Sequence, residues 1–164
     1  MDVALRAAVD RLMYEQAVAL HMLDLAGPGA LERRLPGSGK GAAEIFGEAE
    51  EALRRIEALL AGGSPEGNAS GPPPATPQDA APGLRALLRR VFAAAASLGG
   101  RRPSDDVLRE VWRTASIYTA LRPELLAAFP EAADDAVVRR WQRAPEPPAD
   151  PPGPAAVDGG EGPG

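Results

Sequence analysis

The sequence predicts an all-α fold: a small antiparallel bundle of four to five helices, with a flexible linker and a disordered tail outside it. Three observations carry that expectation. Apolar residues recur at three- and four-residue intervals over several long segments, as the buried face of a helix requires. Each of these segments stops at a Gly or Pro cluster. The 18 Gly and 18 Pro gather mainly between and after the periodic segments rather than within them.

The first helix is expected over residues 2–26. Leu5, Val9, Leu12, Leu20 and Leu23 define its apolar face, which Met13, Ala17 and Ala19 widen. Arg6 with Asp10, and Arg11 with Glu15, stand four apart, where opposite charges add about 0.2–0.5 kcal/mol per pair. Gly27-Pro28-Gly29 ends the helix, because Gly serves as C-cap and Pro cannot continue the ladder. A short basic segment, Leu31 to Leu35, leads to the breaker Pro36-Gly37-Ser38-Gly39.

The second helix is expected over 41–61, with Ile45, Phe46, Ala49, Leu53, Ile56, Leu59 and Leu60 as its stripe. Glu48, Glu50, Glu51, Arg54 and Glu57 line the wet side. Residues 64–83 offer almost nothing to bury and read as a flexible or polyproline-like linker. The third helix, 84–98, carries Leu84, Leu87, Leu88, Val91, Phe92, Ala95 and Leu98, with Arg85, Arg89 and Arg90 opposite. The fourth, 104–121, opens on an N-cap serine, Ser104, followed by two acids. Its apolar residues (Val107, Leu108, Val111, Trp112, Ala115, Tyr118, Leu121) cover more than one face, which marks it as the central helix. Pro123 breaks the path into a short turn, Glu124 to Phe129.

The last helix, 131–143, places Glu131, Asp134 and Asp135 first and Arg139, Arg140 and Arg143 last, complementing the macrodipole. Val137, Val138 and Trp141 are its apolar contacts. One domain over 1–143, interrupted at 64–83, is followed by a Pro/Gly-rich acidic tail, 144–164, expected to be disordered.

Composition narrows the function classes. A net charge of −5 disfavours binding to bulk nucleic acid, which needs a strong positive field. Zero Cys removes disulfides and thiolate metal sites and fits a reducing compartment. Met1 to Arg6 lacks the pattern of a secretory signal. The run Val91 to Ala96 falls far below the ~20 residues needed to span a bilayer. A soluble, cytoplasmic protein is expected.

Few residues offer chemistry. Arg34 to Gly41 is similar to part of a phosphate-binding loop, but Arg34 stands where that motif needs Gly, and Gly41 where it needs Ser or Thr. A plain loop is expected there. His21, the one histidine, has no acid at Glu-x-x-His spacing and reads as a surface or boundary residue. Glu44, Glu48 and Glu51 read as a solvated acidic face. Trp112 and Trp141 read first as core aromatics and second as the wall of a ligand pocket, and they are also candidate partner-binding residues. Arg85, Arg89 and Arg90, with Arg101-Arg102, form a local basic stripe that reads first as a solvated face and second as a surface for an acidic peptide or an anionic lipid. Arg101-Arg102-Pro103-Ser104 also fits a basophilic kinase site, where phosphate on Ser104 would meet free backbone N–H groups and two arginines.

Helix one, through Leu12-Met13-Tyr14-Glu15-Gln16-Ala17-Val18-Ala19-Leu20, resembles the MIT-type helical modules of the ULK family of autophagy-initiating serine/threonine kinases. Helix two joins the resemblance through Phe46, Ala49, Leu53, Ile56, Leu59 and Leu60. The chain departs from that family in its Gly-rich first loop and its long linker, and it contains none of the kinase-domain motifs. The resemblance implies a binding module that docks a partner's amphipathic segment between helices, without catalysis.

The expectation is thus a non-catalytic interaction module with no catalytic residues, cofactor or metal, docking an amphipathic helix from another protein or a second copy. Two alternatives stay open: a ferritin-like or small-molecule-binding bundle, and the structural subunit of a homo-oligomer.

Overall fold

A computed structural model describes residues 1–63 and 77–147. Among them, in chain order, are α1 (Val3–Ala26), a 3-10 turn (Ala30–Glu32), α2 (Ala42–Leu60), α3 (Pro77–Ser97), α4 (Asp105–Ala120), α5 (Arg122–Ala128), a second 3-10 turn (Pro130–Ala132) and α6 (Ala136–Arg143). The fold is all-α, and α1, α2 and α4 fall within one residue of their expected bounds.

α1 begins at Asp2, whose carboxylate accepts from the N–H groups of Ala4 and Leu5 at 3.0 and 3.1 Å. Two of the four orphan donors of the helix start are satisfied in this way. It stops at Gly27, where φ is 76° and ψ is −161°, a conformation essentially restricted to glycine. Its buried residues include Leu5, Ala8, Val9, Leu12, Val18, Ala19, Met22 and Leu23, a band broader than the single stripe read from spacing. α1 is consequently the central helix, packed against α4, α3, α6 and both 3-10 turns; the expectation that the fourth helix is central is corrected. α4 packs on α1 and α2, and α3 on α2 and α1. Arg55 pairs with Glu110 while Phe46 meets Tyr118, so contacts run in opposite order along α2 and α4. That order marks antiparallel packing.

The third helix starts at Pro77 rather than Leu84. Residues 77–83 therefore belong to α3 and not to a linker; residues 64–76 lie outside the described residues. Pro77 occupies the first helical position, where its missing N–H is harmless. Pro82 lies further in and deletes one backbone bond near the start. Residues 77–83 (Pro-Gln-Asp-Ala-Ala-Pro-Gly) hold no large apolar residue, so this part of α3 offers no stripe for periodicity to detect. Phe92, expected in the stripe, is 36% exposed because it sits at the flank of the face formed by Leu84, Leu88, Val91 and Ala95.

The expected helix 131–143 is split. Glu131 lies in the second 3-10 turn, held by Arg33 at 2.6 and 2.7 Å. α6 starts only after Asp135, which accepts from the N–H groups of Val137 and Val138 at 2.9 and 3.2 Å. The acids read as a first helical turn are an ion-pair partner and an N-cap. Val137 is 45% exposed, leaving Val138 and Trp141, three apart, as the buried side chains of α6. Pro123 opens α5, a full helix of seven residues where a short turn is expected. The tail expectation is also modified: Ala144 to Pro147 are described, and the carbonyls of Ala144 and Pro145 are bonded to Arg122 and Arg11; residues 148–164 lie outside the described residues.

Between α1 and α2 the chain closes on itself. The Leu35 N–H donates to Lys40 O at 2.8 Å, the Ala42 N–H donates to Arg33 O at 2.7 Å, and Leu35 is buried. Buried apolar residues from α1 through α6 join in one continuous core.

Candidate functional site

Among the described residues, several polar side chains converge around α6. On the face of α1 beneath it, Glu15 and Gln16 are both 0% exposed. One oxygen of Glu15 accepts from Arg11 one turn earlier, at 2.6 Å from Nη2 and 2.8 Å from Nε, and the other accepts from the indole Nε1–H of Trp141. Two donors thus offset the desolvation of a buried carboxylate, which is otherwise costly. Gln16 Oε1 accepts from the hydroxyl of Tyr118 on α4 at 3.1 Å. Burial pushes the Tyr118 hydroxyl far above its ordinary range, partly countered by Gln16, so it stays a neutral donor.

Trp141 is 0% exposed and fills the space between α1 and α5, with the guanidinium of Arg122 stacked 4.8 Å from its ring centre. Arg122 Nη1 donates to the carbonyls of Gln142 and Ala144 at 3.2 and 3.1 Å. Arg11 Nη2 reaches the carbonyl of Pro145. Two arginines, from α1 and α5, therefore grip the backbone that leaves α6. At the other end, His21 Nε2 lies 3.1 Å from Oδ1 of Asp135, the α6 N-cap. The His21 imidazole, and then the Val138 and Val137 N–H groups, hold the Asp135 carboxyl below its usual range. Arg122 Nε and Nη2 are buried with no hydrogen-bond partner among the described residues, so this edge of the guanidinium is left unsatisfied beneath α6.

The structure separates the residues singled out by sequence. Trp141 is core, the first of its two readings, and its polar end is taken by Glu15. Trp112, 8% exposed, is likewise core. Arg85 and Arg90 are five residues apart, about 140° around the helix, and so point to opposite flanks of α3. Arg85 meets Asp24 of α1 at 2.6 Å and Arg90 meets Glu57 of α2 at 2.8 Å. They tie α3 to both neighbours instead of forming one free basic rim. Arg89 is exposed and has no ion-pair partner among the described residues. Ser104 is exposed and caps α4, its Oγ accepting from the Val107 N–H at 3.4 Å. Arg102 near it lies 3.6 Å from Asp105, and Arg101 bonds to Leu98 O.

Lys40, in the segment similar to a phosphate-binding loop, pairs with Glu48 at 2.9 Å, and this carboxylate raises the lysine pKa. The loop itself is closed by a bridge between Arg34 and Gly41. Among the described residues, no three His, Cys, Asp or Glu side chains are placed to hold a metal, and no helix is long and apolar enough to cross a membrane.

Glu15, Gln16, Arg11 and Arg122 are the residues that sequence reading missed as a group. A signal existed for two of them. Glu15 and Gln16 follow Leu12 by three and four residues and precede Ala19 and Leu20 by four each, so they interrupt an apolar face instead of opposing it. Arg122 carried no such sign, because its role depends on where α6 folds back. No family model, curated protein or solved structure matches this chain.

Proposed function

We propose that the chain is a non-catalytic interaction module that receives an amphipathic helix between its own helices. The observation that carries this reading is the use made of its polar side chains: Glu15, His21, Arg11 and Arg122 all act on α6, an eight-residue amphipathic helix seated on α1. The bundle is already organised to hold such a helix by a hydrophobic anchor, a buried carboxylate and two backbone clamps. That is a helix-in-groove mode of recognition. The resemblance of α1 and α2 to MIT-type modules supports the same class of partner. Outward arginines on α6 and α3, such as Arg139, Arg140 and Arg89, supply surface charge that steers an acidic segment without adding much affinity.

Affinity capture with the full chain, mass spectrometry of what is retained, and mapping of the bound region on the recovered protein test the reading. A stoichiometric complex with an amphipathic helix of another protein is expected. Stoichiometric Fe, Mn or Zn surviving dialysis, or a tightly held small molecule in place of a protein, would overturn it and favour a ferritin-like or ligand-binding bundle.

A further inference from the structure

We infer that α6 is a displaceable lid, and that its seat on α1 and α5 is where the partner helix docks, recognised by an aliphatic residue and a tryptophan three positions apart. This rests on the interaction-module reading and names the site and the chemistry of the partner.

The first argument is energetic. α6 has eight residues, too short to be stable by itself, and buries only Val138 and Trp141. Each ordered residue costs backbone entropy, so a short segment with two buried anchors opens more readily than the long helices α1, α2 and α4.

The second argument is the character of what lifting exposes. The floor of the seat carries the Glu15 carboxylate, which needs an N–H donor where the indole of Trp141 now stands. Its rim carries Arg122, whose face needs an aromatic ring and whose Nη1 needs backbone carbonyls, and Arg11, which reaches one carbonyl further along. Charge and hydrogen-bond complementarity therefore specify the occupant: a helix presenting aliphatic-x-x-Trp to the seat, running into an extended segment with free carbonyls. A partner competes against a tethered α6 whose effective concentration is of millimolar order. It succeeds by being longer than eight residues and burying more than two anchors.

A fluorescein-labelled synthetic peptide of residues 133–147 serves as the probe, titrated into three full-length proteins: wild type, Trp141→Ala and Asp135→Ala. Trp141→Ala vacates the seat, so the peptide should bind it at least about tenfold more tightly than wild type. Asp135→Ala keeps every core side chain and removes only the α6 cap and the His21 contact; it should bind about three- to tenfold more tightly than wild type. Replacing the tryptophan of the peptide with alanine should cost at least about tenfold.

The inference is overturned if Trp141→Ala, helical by circular dichroism, fails to bind the peptide, or binds it equally well without its tryptophan. It is also overturned if wild type self-associates through the seat, seen as dimerisation abolished by Trp141→Ala, since the occupant is then a second copy. A partner recovered by affinity capture that binds wild type and Asp135→Ala equally would reject the seat and leave the interaction-module reading standing. If capture recovers no protein while the peptide still binds, the lid stands and the module reading falls.

Discussion

Replacing Trp141 with phenylalanine isolates the contact on which the seat of α6 depends. The indole N–H is one of the donors that compensate Glu15, a carboxylate with 0% exposure. Phenylalanine retains a ring for Val138 and Arg122 to pack against but presents no donor. Losing a hydrogen bond to a charged acceptor costs about 1.5–3 kcal/mol. The smaller ring leaves a gap worth about 1 kcal/mol more. The sum, about 2.5–4 kcal/mol, is a large share of the ~5–15 kcal/mol available to a domain of this kind. In urea unfolding followed by circular dichroism, with a slope near ~2 kcal/mol/M, the midpoint should fall by about 1.2–2 M. A companion measurement separates the hydrogen bond from the packing. Glu15→Gln keeps an acceptor oxygen but removes the charge, and the cycle of Trp141→Phe with Glu15→Gln should show a coupling of about 0.5–3 kcal/mol. A midpoint shift equivalent to less than ~0.5 kcal/mol, or additive single and double variants, would refute the claim that the indole supports the buried carboxylate.

Three further outcomes follow from named contacts. Glu131 is held down to about 2 by Arg33 first and by a backbone hydrogen bond second, against an ordinary 4.5. The folded chain therefore binds fewer protons than the unfolded one between these values, and the contribution is full above pH 4.5 and lost as pH falls through 2. The melting temperature of wild type should exceed that of Glu131→Gln at pH 6 and converge with it near pH 2; a difference that persists at pH 2 rejects the pair as its source. Gly27→Ala, at φ 76° and ψ −161°, should destabilise by about 1–3 kcal/mol in the same melts, and more than Gly29→Ala, at φ 81° and ψ 0°. Equal costs at the two glycines would count against the glycine-only conformation at the end of α1. Charge reversal of Arg85 and Arg90 to Glu should lower stability by about 0.2–1 kcal/mol for each lost pair, with added repulsion from Asp24 and Glu57. Arg89→Glu should leave the melting temperature unchanged, and a loss equal to that of the other two would show that its charge is also bound in the fold.

Much of this protein is decided by local chemistry, and so is legible residue by residue. The periodic stripes of α1, α2 and α4, the Ser104 cap and the Gly27 stop act within one or two turns of chain, and each appears in the structure where local rules place it. Local rules fail where a helix has no large apolar residues to repeat. The first turns of α3, Pro77 to Gly83, carry two prolines and no large apolar side chain, so periodicity is silent there although the backbone is helical. They also fail where a residue serves two functions. Asp135 has the spacing of a first-turn acid but folds as a cap and as the partner of His21.

The candidate site lies beyond both cases. Glu15 with Arg11 reads as an ordinary surface pair because the two stand one helical turn apart; only the return of α6 across α1 buries the carboxylate and gives it an indole. Arg85 and Arg90 read as one basic stripe because they are close in sequence, whereas the placement of α1 and α2 on either side of α3 divides them. The sequence by itself determined α1, α2 and α4, the Ser104 cap and most of the buried faces of these helices, since these depend on neighbours three or four residues away. Only the tertiary structure decided which charges are buried, which are paired and which helix lies over the polar floor of α1, because contacts such as Trp141 to Glu15 join residues 126 positions apart.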